Sequence, residues 1–348
     1  MRPAFPIFLG LSLACSLLGA CAAFQTPVET TAEYQRSWGL GAINALPAYQ
    51  AGASGRGVLV AIVDCGLGDD GELRRNISRR SVDLVQGRAA PMPIEPHADF
   101  VAGPLGAARD GRGLLGVAWR ARVLSIRADI DGGFNGQCAF RPHDLARAID
   151  YALTQGARVI VLPVQHPRPL VGGFEEALAR AVSAGAVVVT AAGNDGQGAP
   201  AYPAAYAADP RFERGVVVVG AERHDGDLAA WSNRAGPAAL RYISAPGEAV
   251  LTDCGRLTCK QVSGTSFAAP YVAGALALVL DARPSLSPQD AADLILAAGR
   301  DRGAEGVDLV RGRGGLDVGA AFARLSLDVG ARREPLGSGP ADRSAHEG

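Results

Sequence analysis

The chain has 348 residues, 48% of them apolar but only 6% aromatic, with a formal net charge of −1. That balance gives no electrostatic ground for a nucleic acid or an acidic membrane surface as partner. The length admits one large α/β domain or two small ones, and the abundance of Ala, Val, Leu and Gly suits a close-packed parallel sheet covered by helices.

Arg2 stands ahead of an apolar stretch over residues 5–18, which closes in Leu18-Gly19-Ala20-Cys21. A positive region, an apolar core and small residues before a cut read as an export signal. The last four residues resemble a bacterial lipobox, which predicts a signal over 1–21 and a lipid on Cys21. The chain would then sit at the cell envelope, periplasmic or associated with the outer membrane. Ordinary cleavage after Ala20 or Ala22, or an uncleaved anchor, are the other readings. No later run is expected to span a bilayer, so the lipid would be the sole membrane attachment.

Residues 22–40 read as a polar linker, 41–328 as the folded domain, and 329–348, rich in Gly, Pro, Arg and Glu, as a disordered tail. Within the domain the pattern predicts a strand at 58–63, directly followed by Asp64, and another at 121–128. A helix over 142–156 places Leu145, Ala148, Ile149 and Ala152 on one face; a strand at 159–164 and a helix at 174–184 follow. Strands at 186–190 and 216–219 come next, then a helix opening at Ser266, then one over 287–298 with Ser287 as cap and Asp290 in its first turn. Continuous apolar strands alternating with amphipathic helices predict an α/β fold with a parallel sheet.

With Cys15 and Cys21 assigned to the signal, four cysteines remain: Cys65, Cys138, Cys254 and Cys259. In an oxidising compartment pairing is expected, with Cys254 and Cys259, across a short loop, favoured; four unpaired thiols are the alternative. No Cys-x-x-Cys or histidine cluster has metal-site spacing, so neither a metal centre nor a cofactor is expected, and structural calcium is left open.

Three segments carry chemistry. Ser266 lies in Ser263-Gly264-Thr265-Ser266-Phe267-Ala268-Ala269-Pro270, ahead of a long apolar run. A hydroxyl in the first turn of a buried helix sits beside unpaired N–H groups and the positive end of the helix dipole. There it can attack a carbonyl while N–H groups stabilise the oxyanion. Asp64 follows its strand directly, where working residues of open parallel sheets gather, and can orient a histidine; a turn aspartate bonded to its own loop is the alternative. Asn194, in Ala191-Ala192-Gly193-Asn194-Asp195-Gly196, can donate its amide to an oxyanion or can serve an Asn-Asp-Gly turn.

The Ser266 octapeptide resembles the nucleophile motif of the subtilisin-like serine peptidases, and the chain order Asp64, Asn194, Ser266 is that family's order. The resemblance covers roughly residues 32–328. It implies a three-layer fold with a mainly parallel central sheet, peptide or protein substrates, and a catalytic Asp64, His97 and Ser266 with Asn194 in the oxyanion hole. The opening segment Ala32-Glu33-Tyr34-Gln35 with Trp38-Gly39-Leu40 looks like that of the autotransporter-type branch, although the chain is too short for a translocator barrel. No pro-domain fits between Cys21 and the first strand.

Where the family carries His-Gly-Thr-His-Val-Ala-Gly, this sequence reads His97-Ala98-Asp99-Phe100-Val101-Ala102-Gly103. Anchoring on Val101-Ala102-Gly103, supported downstream by residues 113–118, puts His97 at the first histidine and Phe100 at the second. If the first is the base, His97 completes a triad; if the second, a phenyl ring occupies its place. Family usage favours His97, with His166 a weaker candidate. The substrate groove is altered as well. Pro163-Val164-Gln165 replaces Ser-Leu-Gly, which removes an N–H donor and adds bulk where peptide would pair. Three functions fit: an envelope-anchored serine endopeptidase, slow or selective; a non-catalytic relative that binds a peptide or partner protein; and a scaffold that keeps these residues for turns and helix starts.

Overall fold

Seven short runs form the sheet, and the central ones are dense in valine and isoleucine, as β-branched side chains suit a pleated surface buried on both sides. They are β1 (Leu59–Asp64), β2 (Val82–Asp83), β3 (Arg122–Arg127), β4 (Val159–Leu162), β5 (Val187–Ala191), β6 (Val216–Glu222) and β7 (Tyr242–Pro246). All neighbours pair in parallel, in the order β2-β3-β1-β4-β5-β6-β7. A two-stranded antiparallel ribbon, β8 (Val250–Thr252) and β9 (Lys260–Val262), stands apart. The computed structural model describes residues 26–331 except 69–70, 89–92, 94 and 255–257, with backbone alone over 328–331. Cys21, the signal and the tail beyond 331 lie outside the described residues.

Nine helices are described: α1 (Ala32–Arg36), α2 (Trp38–Ala42), α3 (Leu46–Gln50), α4 (His97–Gly106), α5 (Pro142–Thr154), α6 (Phe174–Ser183), α7 (Thr265–Ala282), α8 (Pro288–Ala297) and α9 (Val318–Ala331). Helices α5 and α6 cover one face of the sheet through Leu145, Ile149, Phe174 and Leu178. Helices α4, α7, α8 and α9 cover the other, with Val101, Leu105, Leu276, Ile295 and Phe322 in one continuous core. The result is the α/β, three-layer, mainly parallel architecture the sequence predicts. Each fully buried Val, Leu or Ile contributes about 1.5–3 kcal/mol by leaving water.

Three expectations need correction. The segment 22–40 is no linker where it is described: Val28–Thr30 is a 3₁₀ turn, and Thr31 caps α1 by accepting from the Tyr34 N–H. Its helices are only five residues long, too short to show a helical period. The expected tail boundary at 329 falls inside α9, which continues to Ala331. Helix α7, with 18 residues, is long and apolar enough to cross a membrane, but 83% of it is buried inside the fold. It is apolar all round because the sheet lies on one side and α4 and α8 on others.

The winding places the site. From β1 the chain runs outward to β2 and β3 on one side, then returns to β4 on the other. Where strand order turns in this way, the carboxyl ends of the central strands leave a crevice. β1 ends there in Asp64, Pro163 directly follows β4, and Asn194 lies just past β5.

Candidate active site

Asp64 closes β1 and is buried. Its Oδ1 accepts the Cys65 N–H at 2.7 Å, and its two oxygens lie 3.0 and 2.9 Å from His97 Nδ1. His97 is the first residue of α4, directly after Pro96. A carboxylate at Nδ1 requires a proton on that nitrogen, so in the neutral ring Nε2 carries the lone pair. The side chain is 23% exposed, and its ring lies 5.4 Å from that of Phe267, the neighbour of Ser266. Burial is the largest single influence on the ring and lowers its basicity. The charge of Asp64, the hydrogen bond that Nδ1–H donates to it and the charge of Glu95 together outweigh burial, and His97 titrates above the usual histidine range.

Ser266 is half-buried in the first turn of α7, after Gly264, and its hydroxyl donates to the Pro163 carbonyl at 2.9 Å. That carbonyl is where it is because Pro163 ends β4: the strand expected to reach 164 stops at Leu162. A hydroxyl has one proton, so in this rotamer the serine does not donate to an imidazole.

Asn194 follows β5 through Gly193, whose φ of 109° and close neighbour tolerate no side chain. A Cβ there would stand 2.3 Å from Asn233 Nδ2. The Asn194 side-chain oxygen accepts both the Thr265 N–H and the Thr265 hydroxyl, each at 2.9 Å. Thr265 Oγ1 in turn accepts the Gly193 N–H at 3.2 Å. With Oδ1 doubly engaged, the amide orientation is fixed and Nδ2 is left as the outward donor. The asparagine and the serine are therefore held in register by the residue between them.

The remaining predicted residues divide. Phe100 lies one turn into α4, packed edge-on against Phe267 at 6.4 Å, while its carbonyl accepts the Thr252 hydroxyl. It is a wall of the site, and the imidazole beside Asp64 is that of His97. Gln165 crosses between strand ends: its Oε1 accepts the Asn194 N–H at 2.8 Å and its Nε2 donates to Asp195 Oδ2 at 3.3 Å. Val164 packs on the α5–α6 side of the core. His166 faces its own loop, with Nδ1 2.7 Å from the Arg168 carbonyl and its backbone paired to Tyr202.

Thr265 and Glu95 escaped the sequence reading. Thr265 was visible only as part of a motif, and Glu95 carried the single hint of standing two residues before His97. Both Cys65–Cys138 and Cys254–Cys259 are disulfides. Two trios, Asp64 with Cys65 and His97, and Cys65 with Glu95 and Cys138, bring ligand atoms within 4.8 Å of one another. Cys65 belongs to both, and as a disulfide it offers no thiolate to a metal.

The model of peptidase family S8, the subtilase family, matches residues 55–314, a span that contains Asp64, His97, Asn194 and Ser266. The chain belongs to the subtilase family. It is 32% identical over 250 residues to Subtilisin Savinase of Lederbergia lenta, covering 72% of this subtilase and 86% of that protein. It is likewise 32% identical over 258 residues to an alkaline protease of Alkalihalobacillus alcalophilus, covering 74% of this chain and 63% of that one. An extracellular serine protease of Serratia marcescens is 26% identical over 391 residues, covering 91% of this chain but 37% of its own length.

Proposed function

We propose that this subtilase is an exported serine endopeptidase working through Asp64, His97 and Ser266, with Asn194 in the oxyanion hole. The observation that carries the reading is the Asp64–His97 hydrogen-bonded pair, its ring set against the neighbour of Ser266. Ser266 rotates its hydroxyl from the Pro163 carbonyl toward His97 Nε2, which takes the proton as Oγ bonds to the scissile carbonyl carbon. Asp64 keeps Nδ1–H oriented and stabilises the imidazolium. Asn194 Nδ2 and the N–H groups at the start of α7 hold the oxyanion. The imidazolium returns its proton to the leaving amine, and water then cleaves the acyl-enzyme by the same steps. Pro163 and Gln165 make the enzyme slow or selective, and Phe100 is a packing substitute within a degenerate histidine motif.

Export rests on the signal-like residues 1–21 and lipid attachment on Cys21, which together place the protein at the bacterial envelope. The opening segment from Ala32 sets the chain nearest the autotransporter-type branch. The extracellular Serratia marcescens protease, which matches 91% of the chain, is consistent with export.

A second reading has an observation of its own. With the Ser266 hydroxyl donating to the Pro163 carbonyl and Gln165 spanning to Asn194 and Asp195, the site suits a non-catalytic binder of peptides or a partner protein. Fluorophosphonate labelling, mapped by mass spectrometry, separates the two. Labelling at Ser266 that disappears in His97→Ala supports the peptidase; an unlabelled wild type that still binds peptide supports the binder.

A further inference from the structure

Cys65 follows Asp64 directly and is fully buried, whereas Glu95 stands two residues ahead of His97. The loop from β3 to α5 folds back beside them, with Ile130 donating to Ala139 and Phe134 and Gln137 exchanging hydrogen bonds. From that loop, half-buried Cys138 forms the disulfide to Cys65, and its N–H donates to Glu95 Oε1 at 2.7 Å. One covalent bond and one charge-assisted hydrogen bond therefore tie the β3–α5 loop to the acid's strand and to the start of the base's helix.

A second detail concerns Asp64 Oδ1. This oxygen receives the Cys65 N–H and faces His97 Nδ1, and Cys65 Sγ lies 3.1 Å away from it. A disulfide sulfur has no proton to give. A thiol at the same place does, and would compete with the imidazole for the carboxylate.

We propose that the Cys65–Cys138 disulfide and Glu95 form a positioning clamp for the Asp64–His97 pair, which a dithiol reductant opens to leave a misaligned, slow site. The consequence for turnover rests on the peptidase reading; the consequence for the imidazole does not. In the opening step a reductant thiolate attacks Cys138 Sγ, the more accessible sulfur, and Cys65 leaves as a thiolate. The second reductant thiol displaces Cys138, forming a cyclic disulfide. Two electrons and two protons pass from the reductant, one S–S bond breaks and two S–H bonds form. The new Cys65 thiol then faces Asp64, and Cys138 keeps its N–H bond to Glu95.

The test uses full-length Cys254→Ser/Cys259→Ser protein, so that the clamp is the one disulfide left among the described residues. Its first readout is the ring titration of His97 by ¹H–¹⁵N NMR, assigned by loss of signal in His97→Gln. The charged groups acting on that ring are Asp64 from β1 and Glu95 ahead of α4; α7 presents the phenyl ring of Phe267. Reduction with dithiothreitol should move the titration to lower pH, as should Cys138→Ser, which leaves Cys65 a thiol. Glu95→Gln, which keeps an acceptor for Cys138 while removing the charge, should also move it down. On a peptide substrate, kcat should fall on reduction by about 10- to 100-fold with KM little changed, and reoxidation should restore it. A His97 titration identical in oxidised and reduced protein overturns the clamp whatever the activity does. If no form cleaves peptide, the titration still decides, and only the peptidase reading is lost.

Discussion

At the scale of single residues, His97 sets the pH dependence. A general base works only when neutral, and the net effect of Asp64 and Glu95 over burial keeps its proton above the usual histidine range. Log kcat/KM should therefore rise with pH along an acid limb on the alkaline side of a free imidazole and flatten above it. Asp64→Asn should move that limb to lower pH and reduce kcat by roughly 10⁴-fold; an unmoved limb means that another group titrates. The same proton acts on stability in the opposite sense. The folded state holds it more tightly than the unfolded chain, so its contribution is fully present below the unfolded histidine's range and is lost as pH rises through the folded one. Ser266→Ala and His97→Ala should each cut kcat by on the order of 10⁶-fold, and the double variant no further, because the two act as one unit. Asn194→Ala should lower kcat about 10²- to 10³-fold with KM little changed. An equal rise in KM would assign the amide to substrate binding instead.

At the scale of elements, the site is made by strand ends, and what was legible follows from that. Asp64, Asn194 and Ser266 could be located because each stands at the end of a strand or the start of a helix, a local signal written in consecutive residues. His97 needed the flanking Val101-Ala102-Gly103 for its register. Gln165 was visible as bulk but not as a bridge, because its partners are 29 and 30 residues away and come alongside only through the parallel pairing of β4 with β5. The Cys65–Cys138 link, 73 residues apart, was hidden for the same reason. The Gln165 bridge carries its own prediction. Two hydrogen bonds at an exposed side chain contribute about 1–2 kcal/mol in total, so a peptide that displaces them binds some 5- to 30-fold less tightly than to an open slot. Gln165→Gly should therefore raise kcat/KM for unstructured peptides by roughly tenfold, mostly through KM. An unchanged KM would mean that substrate passes elsewhere.

For the molecule as a whole, the segment ahead of the sheet is part of the fold and acts as a strap. Glu33 is buried, and one of its oxygens accepts the N–H groups of Asp110 and Gly111 at 3.2 and 2.8 Å. Ser37 accepts from Leu115 at 2.9 Å, Arg36 donates to the Gly113 carbonyl, and the Trp38 indole reaches the Ala249 carbonyl at 3.2 Å. Four neighbouring side chains thus hold the 110–115 loop, directly beyond the helix that carries His97, and the turn before β8. Because these two part-buried hydrogen bonds end on a charged acceptor, removing the Glu33 carboxylate forfeits about 2–3 kcal/mol. Glu33→Ala should accordingly lower the thermal midpoint by roughly 4–10 °C, and Glu33→Gln, which keeps an acceptor oxygen, by clearly less. Glu33 has no contact with the acid–base pair, so the pH profile of the folded variant should superimpose on that of the wild type. A profile that moved together with the midpoint would show that the strap also sets the position of α4, and with it the imidazole.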